Sequence, residues 1–237
     1  MNRICTICAR GGSKGVKNKN IREINGLPLI AYSIRQAKQS GLFSAVSVSS
    51  DSEEILAVAR QWGADLLVKR PEHMATDSAA KIPAIQHCVR ETEERQGIIF
   101  DTVVDLDATS PLRDKQDIVN AVAMLERERV SNVITGAPAR RSPYFNLVEI
   151  NSSGAVELSK KLAHPIVRRQ DAPKTYDMNA SIYVWSRDAL FTQNGLFQAD
   201  TLLYVMPEER SVDIDSELDF KMVELLLAEK GNQGHVE

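Results

Sequence analysis

ICTICARGGSKGVKNKN, residues 4–20, runs a short apolar segment straight into a turn where glycine and positive charge coincide. Ile4 to Ala9 has the character of a strand buried on both faces. The turn carries Gly11, Gly12 and Gly15 together with Arg10, Ser13, Lys14, Lys17 and Lys19. Glycines there let backbone N–H groups turn toward an anion, and the cations supply charge. The spacing fits neither the phosphate loop, which needs G-K-[ST] after four intervening residues, nor G-x-G-x-x-G. A phosphate-rich ligand held in some other way is the expectation, with a solvated basic turn as the plainer alternative.

Outward from this turn the chain alternates strand and helix. Leu27 to Gln39 reads as a helix with Leu27, Ile30, Ile34 and Ala37 at helical spacing, ended by Gly41. Residues 44–51 are a strand, Ser52 caps a helix with Glu53 and Glu54 in its first turn, and 64–71 hold a third strand. Lys81 to Arg95 is a helix, 101–108 a strand, Asp114 caps the next helix, and 131–137 are strand again. This rhythm predicts an α/β fold: a three-layer, mostly parallel, Rossmann-like sheet with right-handed crossovers. From about Ala137 it breaks into a hairpin (145–160) and a charged irregular stretch (164–179), then resumes with strand 180–185, a short helix at Ser186–Thr192, strand 201–207 and a terminal helix at Ser216–Glu229. The expected organisation is a core of residues 1–136 and 179–237 with an insertion at 137–178.

The 237 residues are 43% hydrophobic and 26% charged, enough to bury a full core. A formal net charge of −3 makes the cations of the opening turn a local concentration, which argues against nucleic acid as the main partner. Cys5 and Cys8 form C-x-x-C, but no second C-x-x-C or His pair follows, and buried reduced thiols are the simpler reading. No leader-type apolar segment opens the chain, and no apolar run approaches the ~20 residues of a membrane span. A cytoplasmic protein without membrane contact is expected.

Two further polar clusters fall where loops leave the ends of strands, the place where ligands bind in parallel sheets. DLDATSPLR (105–113) ends a strand with Asp107, Thr109 and Ser110, followed by Arg113; these groups suit a sugar, a base edge or an acid, or form only a turn and a cap. VDIDSELDF (212–220) alternates Asp213 and Asp215, whose oxygens suit Mg²⁺ bound together with phosphate. Ser216 and Glu217 are explained by an ordinary helix start, which leaves Asp213 unexplained. A cationic glycine turn plus paired carboxylates describes a nucleotidyltransferase, with in-line attack on an α-phosphate.

ARGGSKGVKNKNI, ATSPLR, NASIYVW and DIDSELDF resemble, in order, the opening signature, Q-P-T-S-P-L-R, N-G-A-I-Y and D-I-D-T-x-x-D-L of the acylneuraminate cytidylyltransferases, a likeness spanning nearly the whole chain. The resemblance implies a glycosyltransferase-A-like sheet enzyme that joins CTP to a nine-carbon 2-keto acid with Mg²⁺, giving the CMP-sugar and pyrophosphate, and acting as a homodimer. It implies that Arg10, Lys14, Lys19 and Asn20 hold CTP, with the amides of Gly11, Gly12 and Ser13, and that Asp213 and Asp215 hold Mg²⁺. Ser78 would lie in the loop that touches the nucleotide. Residues 137–178 match the dimerisation arm that reaches into the partner's sugar site, so Arg169 and Gln170, with Asn179 of the NASIYVW stretch, join Asp107, Thr109, Ser110 and Arg113 as sugar-side candidates.

Two departures stand out. The family's usual Gln is Asp107 here, and the R-P-N ahead of G-A-I-Y is Asp177, Met178, Asn179, which removes a cation expected near the acceptor. Both bear on the choice of sugar more than on the reaction. A legionaminic-type or sialic acid is expected first and pseudaminic acid next. A sugar-1-phosphate nucleotidyltransferase, and a silent nucleotide-binding regulator that would not need Asp213 and Asp215, are the competing readings.

Overall fold

Residues 1–12, 15–76, 78–164, 166–193 and 195–233 are described by the computed structural model. In chain order the first half holds β1 (Arg3–Cys8), β2 (Glu23–Ile24), β3 (Leu27–Pro28), α1 (Leu29–Ser40), β4 (Ala45–Ser50), α2 (Glu53–Gln61), β5 (Leu66–Lys69), α3 (Lys81–Gln96) and β6 (Thr102–Leu106). The second half holds α4 (Lys115–Glu128), β7 (Asn132–Pro138), β8 (Val148–Ile150), β9 (Val156–Leu158), β10 (Tyr176–Ser186), α5 (Arg187–Thr192), β11 (Leu202–Val205) and α6 (Glu217–Gln233).

Among the described residues the main sheet has seven strands in the order β11-β7-β10-β6-β1-β4-β5. Every pairing is parallel except those of β10, which runs antiparallel between β6 and β7. Side chains alternate faces along a strand, so β1 serves two cores. Cys5 and Ile7 pack under α1, α2 and α4 with Ile34, Ile55 and Ile118. Ile4 faces the other way, toward Ile85 and Val89 of α3 and Leu190 of α5. The result is the expected three-layer arrangement.

Local signals account for the helix ends. The Ser52 hydroxyl accepts the Ile55 N–H, and Asp114 and Asp117 form a reciprocal capping box at the start of α4. One expectation is corrected: the helix read from Leu27 begins at Leu29, because Leu27–Pro28 pairs with Glu23–Ile24 in a hairpin. Its turn is Asn25-Gly26, with φ of 49° and 77°, the pair favoured where both turn residues need positive φ.

The insertion leaves the sheet later than expected. Tyr176, Asp177 and Met178 pair with Pro138, Ala137 and Gly136, so the excursion proper spans 139–175 and carries the small β8–β9 hairpin. Just beyond, the register shifts between Met178 and Tyr183, and Ala180 adopts φ of 51°, a left-handed conformation that costs an L-residue about 1–2 kcal/mol.

A third, smaller core positions the site. Val16, Ile24, Leu29 and Leu112 pack with Ile214, Phe220 and Val223, which clamps α6 and the segment before it onto the opening turn. Arg22 reinforces this by stacking 3.8 Å from the Phe220 ring centroid and pairing with Glu217 at 2.6 Å.

Candidate active site

The two ends of the chain meet at one atom. A Cβ on Gly15 would lie 2.0 Å from the backbone oxygen of Asp215, so only glycine lets the turn pass against the segment that leads into α6. Lys19 crosses the same gap: its ammonium donates to the Ile214 carbonyl and reaches Asp215 Oδ1 at 3.3 Å. Asn20, itself buried, donates from Nδ2 to the Arg10 carbonyl at 3.0 Å and fixes the backbone from which Arg10 projects. Arg10, Gly12, Gly15, Lys19, Asn20 and Asp215 line a cleft of about 390 Å³ at the C-terminal end of β1. The same cleft is also lined by Ala9, Arg70, Met74, Ala79, Ala80 and Ala84, mostly small and apolar except for Arg70. That guanidinium is turned into the fold, donating to the Ser49 carbonyl and hydroxyl.

Two members of a salt-bridged cluster, Lys81 and Asp107, also line the cleft. Lys81, the first residue of α3, places its ammonium 2.8 Å from Asp107 Oδ2 and 3.0 Å from Asp105 Oδ2. Burial alone would raise the Asp107 carboxyl, but Lys81 and hydrogen bonds from Thr109 outweigh it and hold the group at about 2. For Lys81, burial favours the neutral amine, yet the two aspartates win and its pKa is raised. Thr109 borders the same cleft, its N–H and hydroxyl both given to Asp107 Oδ1. Lys81 and Arg70 are additions to the sequence-derived candidates. Their long-range partners carry no local motif.

A second hollow of about 340 Å³ adjoins the first, with Asp215 on both rims. Asp213, Arg140, Asp177, Met178 and Glu208 border it. Asp213 is the unusual member. Burial first, then the charge of Asp107, pushes its carboxyl above the ordinary value, and its Oδ1 is buried with no hydrogen-bond partner among the described residues. Asp215 by contrast leaves 81% of its side chain exposed. An orphaned carboxylate oxygen beside an open one fits a hard divalent cation that takes its remaining ligands from phosphate and water. Among the described residues no cluster of three or more His, Cys, Asp or Glu forms a self-sufficient metal cage.

Several candidates are placed elsewhere. The Gly11 N–H donates to Asp51 Oδ1 at 2.9 Å, so it braces the turn and does not face the cleft. Arg113 is corrected outright: it is 2% exposed, with Nη1 on the Ser181 carbonyl, Nη2 on Ser33 Oγ and the Asp107 carbonyl, and Nε on Gln36. Burial lowers its pKa to about 10. It ties β6 to α1 and β10 and cannot reach a ligand. Ser110 is fully buried and is corrected likewise. Asn179 borders the second hollow, but its amide is engaged by Thr135, Ser181 and Ser211. Arg169 and Gln170 line a separate hollow beside the excursion, where Arg169 donates to the carbonyls of Ala139 and Arg140. Ser78 is exposed, and Thr76 and Ala79 of its loop line the cleft where Ser78 does not. Ser13 and Lys14 lie outside the described residues.

The sheet order, the strand-end cleft and the converging cations and carboxylates define an α/β nucleotidyltransferase fold. A CMP:2-keto-3-deoxy-manno-octonic acid synthetase complexed with CTP shares it with a TM-score of 0.69 over 97% of this chain and 100% of that one, at 16% identity. The chain belongs to the cytidylyltransferase family, whose model matches residues 4–224. It is 51% identical over 227 residues to the CMP-N,N'-diacetyllegionaminic acid synthase of Campylobacter jejuni, covering 96% of this chain and 95% of that protein. It is 50% identical over 230 residues to post-translational flagellin modification protein B of Campylobacter coli, covering 97% of each. No helix among the described residues is long and apolar enough to cross a membrane.

Proposed function

We propose that the protein transfers CMP from CTP to a nine-carbon 2-keto sugar acid of the nonulosonic type, releasing pyrophosphate, in the biosynthesis of surface glycans. The observation that carries this is the meeting of Gly15 and Lys19 with Asp215, a carboxylate that borders both the cleft of the cationic turn and the hollow that holds Asp213. The family membership and the legionaminic acid synthase relative support CTP and a nonulosonic acid as substrates. The order of preference is a legionaminic-type or sialic acid first, then pseudaminic acid.

In this reading Arg10, Lys19 and the Gly12 amide hold the triphosphate, and the small apolar residues of the lining, Ala79, Ala80 and Ala84, take the base. Asn20 keeps Arg10 aimed by holding its carbonyl. The acceptor enters from the second hollow, so its anomeric hydroxyl approaches the α-phosphate across Asp215. That hydroxyl is the nucleophile, and no covalent enzyme intermediate is needed. Asp213 and Asp215 would hold Mg²⁺, which when bound neutralises charge developing on the phosphates. Arg10 and Lys19 stabilise the departing pyrophosphate from the opposite side.

The proposal includes a cytoplasmic homodimer. Its support is apolar surface on and beside the excursion, where Ile150, Val156, Val167 and Phe197 are all more than two-thirds exposed, and reduced thiols at Cys5, Cys8 and Cys88. Arg169 and Gln170 would then face the partner's acceptor hollow. The test supplies CTP, Mg²⁺ and nonulosonic acids in one assay and UTP, GTP or ATP with hexose-1-phosphates in another. Pyrophosphate release in the first alone is expected; release in the second alone identifies a sugar-1-phosphate nucleotidyltransferase instead.

A further inference from the structure

We propose that Arg140 receives the carboxylate of the acceptor sugar acid and that Glu208, its ion-pair partner, is a placeholder which that carboxylate displaces. The inference rests on the functional reading above and names the group that holds the acid function of the substrate.

Charge makes the case for a cation here. Asp177, Glu208, Asp213 and Asp215 all border the hollow assigned to the acceptor, and Arg140 is the one cationic side chain among the described residues that does. An anionic acceptor entering the hollow meets repulsion from every charged group but that one. Three of the carboxylates have other tasks. Asp213 and Asp215 face the metal in the functional reading, and Asp177 Oδ2 accepts the Arg140 backbone N–H at 3.3 Å. Glu208 is left, and its Oε1 stands 3.4 Å from Arg140 Nε.

The pair is an exchangeable contact between fixed stems. Its distance of 3.4 Å exceeds the roughly 2.7–2.9 Å of a charge-assisted hydrogen bond, and the two side chains are 79% and 65% exposed. An ion pair so open to water contributes little, so a second carboxylate takes the guanidinium at small cost. Arginine donates two parallel bonds to one carboxylate, a geometry that the Nε contact to Glu208 does not use. The backbone under each partner is pinned. Arg140 is held at its N–H by Asp177 and at its carbonyl by Arg169 Nη2 at 3.0 Å. Glu208 begins a short turn whose last residue, Arg210, donates from both Nε and Nη2 to the buried Asp117 at 2.9 Å. Only side chains need to move for the exchange, and the walls of the hollow stay in place. A hydroxyl in the same position would leave Glu208 the better match for the guanidinium, so the exchange selects an acid.

The test compares a nonulosonic acid with the same sugar carrying a carboxamide in place of the carboxylate, each with CTP and Mg²⁺. The wild-type enzyme is expected to favour the acid in kcat/KM. Arg140→Met should raise KM for the acid by about tenfold or more, the worth of one hydrogen bond to a charged group, and erase the preference over the amide. KM for CTP should stay within about threefold. Arg140→Lys should recover part of the preference, since the charge remains and the fork does not. Glu208→Gln should act in the opposite direction and lower KM for the acid by about threefold, because the competing carboxylate is gone. The double variant should match Arg140→Met, as Glu208 acts only through Arg140. An unchanged KM for the acid in Arg140→Met overturns the inference, as does an equal loss toward acid and amide, or a raised KM in Glu208→Gln. A wild-type enzyme that turns over neither sugar overturns the functional reading itself, which keeps the two failures apart.

Discussion

The two sides of the cleft are built by different means. One side draws Arg10, Gly12, Gly15 and Lys19 from a single turn, with Asp215 added from far along the chain. The salt-bridged cluster draws Lys81 from a helix start, Asp105 and Asp107 from a strand end and Tyr183 from the antiparallel strand, three separate parts of the sequence. A site that grips phosphate needs a compact turn of amides and cations, which local sequence can encode. A cluster of polar groups fixed at chosen points is held instead by partners distant in sequence.

The contrast breaks most visibly where the phosphate grip is removed. Arg10→Ala and Asp215→Ala are each expected to lower Mg²⁺-dependent pyrophosphate release by about a thousandfold while the melting temperature stays put, because both side chains face the cleft. Near-normal turnover in either would remove that residue from the grip. Gly15→Ala comes next. Its methyl would overlap the Asp215 backbone, so activity should fall by about a hundredfold and the melting temperature with it, whereas Gly12→Ala meets nothing within 4 Å and should melt like the wild type.

Behind the salt-bridged side, Arg113→Met should destabilise by about 3 kcal/mol in urea titrations, since it removes a buried donor that serves Ser181, Ser33, Gln36 and the Asp107 carbonyl at once. A stability unchanged by that substitution would return Arg113 to the list of ligand-binding groups. The smallest effect is one of pH. Asp107 is pulled from 3.8 down to about 2, so between those values the unfolded chain binds more protons than the folded one. Its contribution to stability is complete above about pH 4 and is lost as the pH falls toward 2. Asp107→Asn should flatten that part of the melting-temperature profile, and an unchanged profile would mean that Lys81 does not hold the carboxylate down.

The same contrast explains what the amino-acid sequence discloses. Ser52 and Asp114 announce their helices because a cap is a local event involving a few neighbouring residues. The paired Asp213 and Asp215 stand out because an ordinary helix start does not require them. Asn25-Gly26 is an equally local hairpin signal, but the apolar spacing from Leu27 onward reads as helix and masks it. Arg113 reads as a ligand group because arginine beside hydroxyls suits an acid. Its inward turn depends on Ser33, Gln36 and Ser181, which nothing near position 113 reveals. Lys81 is hidden for the converse reason: it reads as the ordinary first residue of a helix, and its partners lie on β6 and β10. The excursion is visible as a break in rhythm, while its true roots at Pro138 and Tyr176 depend on pairing across the sheet.

The central claim is tested most directly by mass spectrometry of the products formed from CTP, Mg²⁺ and a mixture of nonulosonic acids. On this reading a CMP adduct of an N-acylated nine-carbon acid appears together with an equal amount of pyrophosphate. A mixture that returns unchanged acids and intact CTP, while hexose-1-phosphate with another nucleotide is consumed, contradicts it.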